Sequence, residues 1–206
     1  MHTIPVFPLN LVVFPGSRYQ LHIFEERYKI LVQKSLKEDS GFGIVAPFDK
    51  KTSDVGVYVK IDSLIKEYES GESDIVIAGI EKFIINDTYL HPDGYYMAVI
   101  EKYDDDNSNI DDDLITALQD EFEEIVELAN YKLEDSFWSN FRSAKLKSYK
   151  IAEKSGLSYE QQMELLILKN ENARLSYLID YFLSIKEKVS TAENLKRIIM
   201  NNGYLN

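Results

Sequence analysis

The sequence predicts a mixed α+β protein, in which a β-barrel of short strands with one inserted helix is followed by an α-helical bundle. Two observations lead to this prediction. The first hundred residues contain seven short runs rich in Val, Ile, Tyr and Phe, separated by turn residues, and such runs are typical of a closed or nearly closed barrel. Beyond Tyr103 the apolar residues change to helical spacing, which indicates packed helices.

The predicted strands cover residues 3–7, 19–23, 42–46, 55–68, 75–80, 82–89 and 95–103. In the fourth run, Val55, Val57 and Val59 occupy alternate positions, which is the period of a half-buried strand. Residues 69–73 contain a glycine and predict a hairpin loop. The sequence Pro92-Asp93-Gly94 predicts a further turn.

One helix interrupts the strands. Between the second and third runs, residues 25–37 place Tyr28, Leu31, Val32, Ser35 and Leu36 at helical spacing, with charged residues between them. This pattern predicts a single amphipathic helix that covers one end of the sheet.

The composition changes abruptly after Tyr103, where the stretch 104–113 is acidic and almost free of apolar residues. We therefore expect a barrel over residues 1–103, an acidic linker and helix start over 104–113, and a helical bundle over 114–206. The runs 104–106 and 111–113 are interpreted as linker and helix cap, because they lack the spacing and the glycine of an EF-hand loop.

The apolar spacing of the tail predicts several helices. The first buries Ile115, Leu118, Phe122, Ile125 and Ala129. A second is predicted over 137–155 and stopped by Gly156. Capping-box patterns at Ser158–Gln161 and Ser190–Glu193 predict two further helix starts, and Gly203 the end of the last helix. The residues of one more apolar stripe are Leu175, Leu178, Ile179, Phe182 and Leu183.

The formal net charge of −12 is concentrated in the middle of the chain. Residues 104–135 hold 13 acidic side chains and one basic one. Affinity for nucleic acid or for an anionic membrane depends on clustered Lys and Arg, so neither partner is expected. The lysines at 145, 147, 150 and 154 are too sparse to reverse this expectation.

Motifs that carry catalytic chemistry are absent from the sequence. The chain has no cysteine, which excludes disulfides and thiolate catalysis. It contains no P-loop and no G-x-S-x-G elbow, and His2, His22 and His91 are far apart in sequence. We therefore expect no enzymatic activity, no cofactor and no metal. With no run near the roughly 20 apolar residues of a membrane span and no signal-peptide pattern, a cytoplasmic protein is expected.

The segment from Phe7 to Val32, FPLNLVVFPGSRYQLHIFEERYKILV, resembles the opening of the N-terminal substrate-binding domain of Lon proteases, with its FPL-x3-VLFPG and L-HIFE-x-RY signatures. The resemblance continues through residues 42–45, 55–57, 77–83 and 96–100. It extends more loosely into residues 157–185, where Arg174-Leu175 stands at the R-L pair of that domain.

This resemblance implies a PUA-like barrel followed by a helical part. It also implies a stand-alone Lon substrate-binding-domain protein without the ATPase and Ser-Lys peptidase modules. Its implied function is non-catalytic, ATP-independent binding of unfolded or extended polypeptide, with presentation to a protease in trans. Two alternatives remain at this point: RNA binding through the PUA-like barrel, and a hydrolase of unrecognised type.

A binder of unfolded segments needs an exposed apolar surface or an accessible strand edge. The apolar residues that the sequence offers lie at the Pro-rich entry, at the Phe14-Pro15-Gly16 turn, and in the aromatic group at the start of the second tail helix. The predicted polypeptide-binding residues are Phe7, Phe14, Tyr19, Trp138 and Phe141.

Overall fold

A computed structural model describes residues 2–48 and 53–188 of the chain. The chain divides into two compact units, the first ending at Tyr103 and the second beginning at Asp104. Strands occur in the first unit and helices in both, so the α+β class predicted from the sequence is confirmed. The capping pattern at Ser190–Glu193 and the helix end at Gly203 lie outside the described residues.

The described part of the first unit contains six strands rather than the seven that were predicted. They are β1 (His2–Pro8), β2 (Arg18–Ile23), β3 (Phe42–Val45), β4 (Val55–Glu67), β5 (Ser73–Leu90) and β6 (Tyr96–Lys102). The predicted runs 75–80 and 82–89 form the single strand β5, because the ladder continues through Glu81, which pairs with Tyr58. A register shift between Tyr58 and Val59, which pair with Glu81 and Gly79, forms a β-bulge at this point of the ladder.

The length of β5 organises the sheet, whose order is β2-β5-β4-β3-β1-β6. The first part of β5 pairs with β2 and its last part with β6, while β4 pairs along most of its length. Strand β1 is parallel to β3 and antiparallel to β6. Because β6 pairs with both β1 and β5, the pairings of β5, β4, β3, β1 and β6 return to their starting strand.

Side chains from these strands form the core of the first unit. The aromatic ring of Phe83 lies among Val6, Val45 and Ile100. It lies against two glycines, since a Cβ atom added to Gly43 or Gly56 would come within 2.5 Å or 2.4 Å of the Phe83 Cζ atom. Glycine at these two positions therefore makes room for the ring.

The inserted helix α1 spans Glu26–Glu38, as predicted to within one residue. It buries Tyr28, Leu31, Val32 and Ser35 as expected, but Leu36 is exposed and Lys29 is buried instead. The Lys29 ammonium donates hydrogen bonds to the Glu26 carboxylate and to the carbonyl of Ser70. These hydrogen bonds give the Lys29 ammonium polar partners, while the aliphatic part of the side chain is buried.

The described helices of the second unit are α2 (Asp112–Leu128), α3 (Asp135–Ser143), α4 (Lys147–Ala152), α5 (Tyr159–Ile167) and α6 (Glu171–Lys188). The side chain of Asp111 caps α2 by accepting a hydrogen bond from the backbone of Asp113. The predicted capping box of Ser158 and Gln161 is present at α5. In α6, Leu175, Leu178 and Phe182 are buried as predicted, whereas Leu183 is exposed.

The single helix predicted over 137–155 is wrong, because the chain is extended at Ala144 and Leu146 between α3 and α4. Side chains satisfy the interrupted backbone on both sides. The Lys147 ammonium donates to the carbonyls of Phe141 and Arg142 at the end of α3. The Glu171 carboxylate accepts from the backbone N–H and the hydroxyl of Ser148 at the start of α4. Gly156 has a φ of 74°, but α4 already ends at Ala152 with Glu153 as its C-cap, so the helix stop predicted at Gly156 is wrong.

The acidic segment 104–109 is hydrogen-bonded to the helices of the second unit. Arg174, which is fully buried in α6, donates to Asp105 and to Asn107. The backbone N–H of Asp106 donates to the carbonyl of Lys169, and the Asn172 amide donates to the carbonyl of Asn109. These bonds hold the segment against the helices through its backbone and its less exposed side chains.

Candidate functional site

Phe7, the first predicted binding residue, is buried in the first unit. Its ring stacks on that of Tyr28 from α1, with centroids 3.7 Å apart, and lies 6.5 Å from the ring of Phe42. Helix α1 thus covers the end of β1 that carries Phe7.

Phe14 and Tyr19 are brought together inside the same unit, where both are almost fully buried. The backbone N–H of Phe14 donates a 2.9 Å hydrogen bond to the Tyr19 hydroxyl. Gly16, with a φ of 86°, forms the predicted turn between them and donates its N–H to the carbonyl of Gly79. The turn forms as expected, with Phe14 directed into the core.

Trp138 and Phe141 lie together on α3. Phe141 is buried, and Trp138 is half-buried. The indole packs edge-on against Phe122, Phe137 and Phe141, with centroid distances of 6.2, 5.2 and 6.0 Å. Such edge-to-face contacts hold an aromatic ring in a defined orientation. Of the five predicted residues, Trp138 is the one that keeps substantial solvent exposure.

Trp138 lines an open groove of about 340 Å³ where α2 ends and α3 begins. Glu123, Val126 and Glu127 come from one face of α2, since residues three and four apart in a helix are neighbours. Asp135 and Trp138 come from the first turns of α3, and Leu133 from the connection. Its lining is apolar at Val126, Leu133 and Trp138, all at least half-buried, and includes three carboxylates.

A second exposed feature is the outer edge of β4. Strand β3 pairs with β4 only from Val57 to Val59, so within the described part of the chain the stretch from Ile61 to Glu67 pairs with β5 alone. Leu64 and Ile65, on this stretch, have exposed fractions of 44% and 53%. An unpaired edge with exposed apolar side chains is a template for a further strand.

Polar contacts tie the strands that carry this edge. The Arg18 guanidinium of β2 binds the Asp62 carboxylate of β4 at 3.2 and 3.3 Å. The Tyr68 hydroxyl donates to the Asp74 carboxylate, whose other oxygen lies 2.7 Å from Nδ1 of His22. These hydrogen bonds from His22 and Tyr68 lower the pKa of Asp74.

Neither the β4 edge nor the carboxylates of the groove were predicted from the sequence as part of a functional site. A signal for the edge was available, because the predicted strand 55–68 is much longer than its neighbour 42–46 and must extend beyond it. The groove had no such signal, since it depends on the break of chain direction between α2 and α3.

Within residues 2–48 and 53–188, no helix is both long enough and apolar enough to cross a bilayer. In the same residues, no three His, Asp or Glu side chains form a group suited to a metal ion.

Residues 3–183 match the family model described as the ATP-dependent protease La (LON) substrate-binding domain. The chain belongs to this family. Domains of the family are non-catalytic modules, and the match supports polypeptide binding as their function. The resemblance on which the sequence analysis relied is thereby confirmed.

Solved structures of Lon N-terminal domains share the fold. The Lon N-terminal domain protein from Xanthomonas campestris is 21% identical, with a TM-score of 0.68 over 88% of this chain and 99% of that one. The N-terminal domain of the Mycobacterium avium complex Lon protease is 16% identical, with a TM-score of 0.65 over 88% of this chain and 98% of that one. A comparison with curated proteins finds no match.

Proposed function

We propose that this Lon-family chain binds unfolded or extended polypeptide segments without catalysis and without ATP, and that the outer edge of β4 is the contact strand. The match of residues 3–183 to a substrate-binding domain carries the proposal. An extended segment added beside Ile61 to Glu67 would gain main-chain hydrogen bonds from the edge and apolar contact with Leu64 and Ile65.

The closed ring of strand pairings supports a barrel as the frame of this edge, here proposed to be PUA-like, with a helical bundle as the second unit. The part of β4 beyond β3 then extends from the barrel on one side. Its attachment to β5 and the contacts of Arg18 and Asp74 support it as a rigid edge.

The proposal is tested by calorimetric titration with a permanently unfolded model protein, such as reduced and carboxymethylated α-lactalbumin, in the absence of nucleotide. In the double variant Leu64→Lys/Ile65→Lys we expect about thirty-fold weaker binding, because the loss of two apolar contacts of ~1 kcal/mol each removes ~2 kcal/mol and lysine discourages strand addition. The matched control is Ile80→Lys/Tyr89→Lys, two residues with similar exposed fractions of 49% and 50% on β5.

The name of the family supports a further part of the proposal, in which the bound segment is presented to a protease in trans. Adding the protein to an ATP-dependent protease and a labelled unfolded substrate should change the rate of substrate cleavage. The Leu64→Lys/Ile65→Lys variant should not change it. An equal effect of both proteins would contradict presentation through the β4 edge.

A further inference from the structure

The groove beside Trp138 has an uncompensated negative charge. Its lining includes the carboxylates of Glu123, Glu127 and Asp135, against the single ammonium of Lys132. Glu123 accepts a hydrogen bond from the neutral Gln119 amide. Among the residues that the structure describes, no lysine, arginine or histidine forms an ion pair with Glu127 or Asp135.

The ring of Trp138 in the groove has no cation over it in the described part of the chain. The neighbouring rings on α3, those of Phe141 and Phe137, have the ammonium groups of Lys147 and Lys150 over them, at 5.4 and 5.7 Å. Of the described lysines and arginines, none lies over Trp138, although tryptophan is the best cation–π acceptor among the side chains.

The carbonyl end of helix α2 adds to the negative charge of the groove. The last turn of α2 contains no basic residue, so the partial negative charge of its carbonyl end is not offset by its own side chains. The start of α3 partly offsets the charge of Asp135, which leaves Glu123 and Glu127, beside the end of α2, as the strongest attraction for a cation.

We infer that this groove binds an arginine side chain of an extended polypeptide, with its guanidinium between the carboxylates and Trp138. Arginine fits this combination because its planar group can stack on an aromatic ring and bond a carboxylate with two N–H groups. A volume of about 340 Å³ is near the lower end of the ~300–1,000 Å³ of small-ligand sites, which suits one long side chain. The choice of a polypeptide as occupant rests on the proposed function.

The experiment uses the full chain and the short peptide acetyl-Gly-Leu-Arg-Leu-Gly-amide, with Trp138, the only tryptophan, as a fluorescent reporter. We expect the peptide to change Trp138 emission saturably. The same peptide with citrulline in place of arginine keeps the shape and loses the charge, and should bind about ten-fold more weakly or not at all. Raising the ionic strength from about 0.05 M to about 0.5 M should lower the affinity of the protein for the arginine peptide.

The matched variants are Glu127→Gln/Asp135→Asn and the control Glu38→Gln/Glu69→Gln, which removes two exposed carboxylates of the first unit. The first pair should lower affinity for the arginine peptide roughly three- to ten-fold, the range expected for two exposed ion pairs, and the control should leave it unchanged. Calorimetry with Trp138→Phe should also show weaker binding, since phenylalanine is a poorer cation–π acceptor than tryptophan.

Equal binding of the citrulline peptide, or equal loss in the control pair, would overturn the inference. Equal affinity for free arginine amide would overturn the choice of a polypeptide. If the unfolded model protein binds through the β4 edge and the short peptide does not bind, the arginine site is refuted and the proposed function stands. If the short peptide binds and the Leu64→Lys/Ile65→Lys variant keeps full affinity for unfolded protein, the role of the β4 edge as the contact strand is refuted and the arginine site stands.

Discussion

The guanidinium of Arg174 lies 3.1 Å from the carboxylate of Glu171, one turn earlier in α6, and both side chains are fully buried or nearly so. Arg174 also reaches Asp105 and Asn107 in the acidic segment and lies over the ring of Tyr149. Glu171 in turn accepts both hydrogen bonds from Ser148. The pair therefore joins α6, the start of α4 and the acidic segment in one network.

Arg174→Met should destabilise the second unit by about 3–5 kcal/mol, because it leaves buried carboxylates without a cation. Urea unfolding followed by Trp138 fluorescence measures this free energy. Arg142→Met, at an exposed position of α3, is the control and should remain within about 0.5 kcal/mol of the unchanged protein. A loss below about 1 kcal/mol in Arg174→Met would mean that the network contributes little.

Gly56→Ala should destabilise the first unit by about 1–3 kcal/mol, because the added methyl group overlaps the ring of Phe83. The free energy of unfolding can be followed by the near-ultraviolet circular dichroism of the tyrosines. Phe83→Leu in the Gly56→Ala background removes part of the overlap, so the double variant should lose less stability than the sum of the two single changes. Additive effects would show that Phe83 does not limit the size of residue 56.

Tyr19→Phe should cost about 1–3 kcal/mol, because the buried N–H of Phe14 loses its acceptor. Tyr89→Phe, at a half-exposed ring, serves as the control and should be nearly neutral. The same variant tests whether Tyr19 contacts polypeptide, as the sequence analysis predicts. Its burial favours a packing role, so affinity for unfolded protein should be unchanged under conditions where the variant is folded.

Stability below pH 4 should depend on Asp74. Hydrogen bonds from His22 and Tyr68 hold its pKa in the folded protein below the ordinary value of 3.8. The stabilisation is therefore complete above the unfolded-state pKa and is lost as the pH falls through the lower, folded-state pKa. Thermal unfolding of Asp74→Asn should show a lower Tm than the unchanged protein at pH 5, with the difference narrowing towards pH 2.

The exposed change Asp120→Asn is the control for this pH series, and its Tm difference from the unchanged protein should not narrow in the same way. A Tm difference for Asp74→Asn that stays constant from pH 5 to pH 2 would contradict a role for the ionised carboxylate.

Local patterns in the sequence were sufficient for most elements. The helical spacing of Tyr28, Leu31 and Val32 predicted α1, and Ser158 with Gln161 predicted the start of α5, because spacing and capping are interactions between near neighbours. The same reasoning failed where contacts between residues distant in sequence determine the ends of a helix. Helix α3 ends at Ser143 through the Lys147 ammonium, and the start of α4 depends on the Glu171 carboxylate.

The candidate site also has features that the sequence predicts and features that depend on contacts between distant residues. The motif that contains Phe14 and Tyr19 carried the family resemblance, which is confirmed. The prediction that Phe14, Tyr19 and Trp138 contact polypeptide is a separate one and stays a prediction. The sequence shows which residues are apolar. It does not show which of them another helix or strand covers in the folded chain. Phe7 was predicted as a surface contact and lies under α1. Leu64 and Ile65 are exposed and lie on the part of β4 that β3 does not reach.

By itself, the sequence determined the α+β class, the Lon substrate-binding family and the concentration of negative charge in residues 104–135. These properties depend on residue types and on their spacing along the chain. The tertiary structure decided which strand edge is unpaired, which apolar side chains are covered, and that Glu127 and Asp135 share a groove with Trp138. Those properties depend on contacts between residues far apart in sequence, whose positions only the folded chain determines.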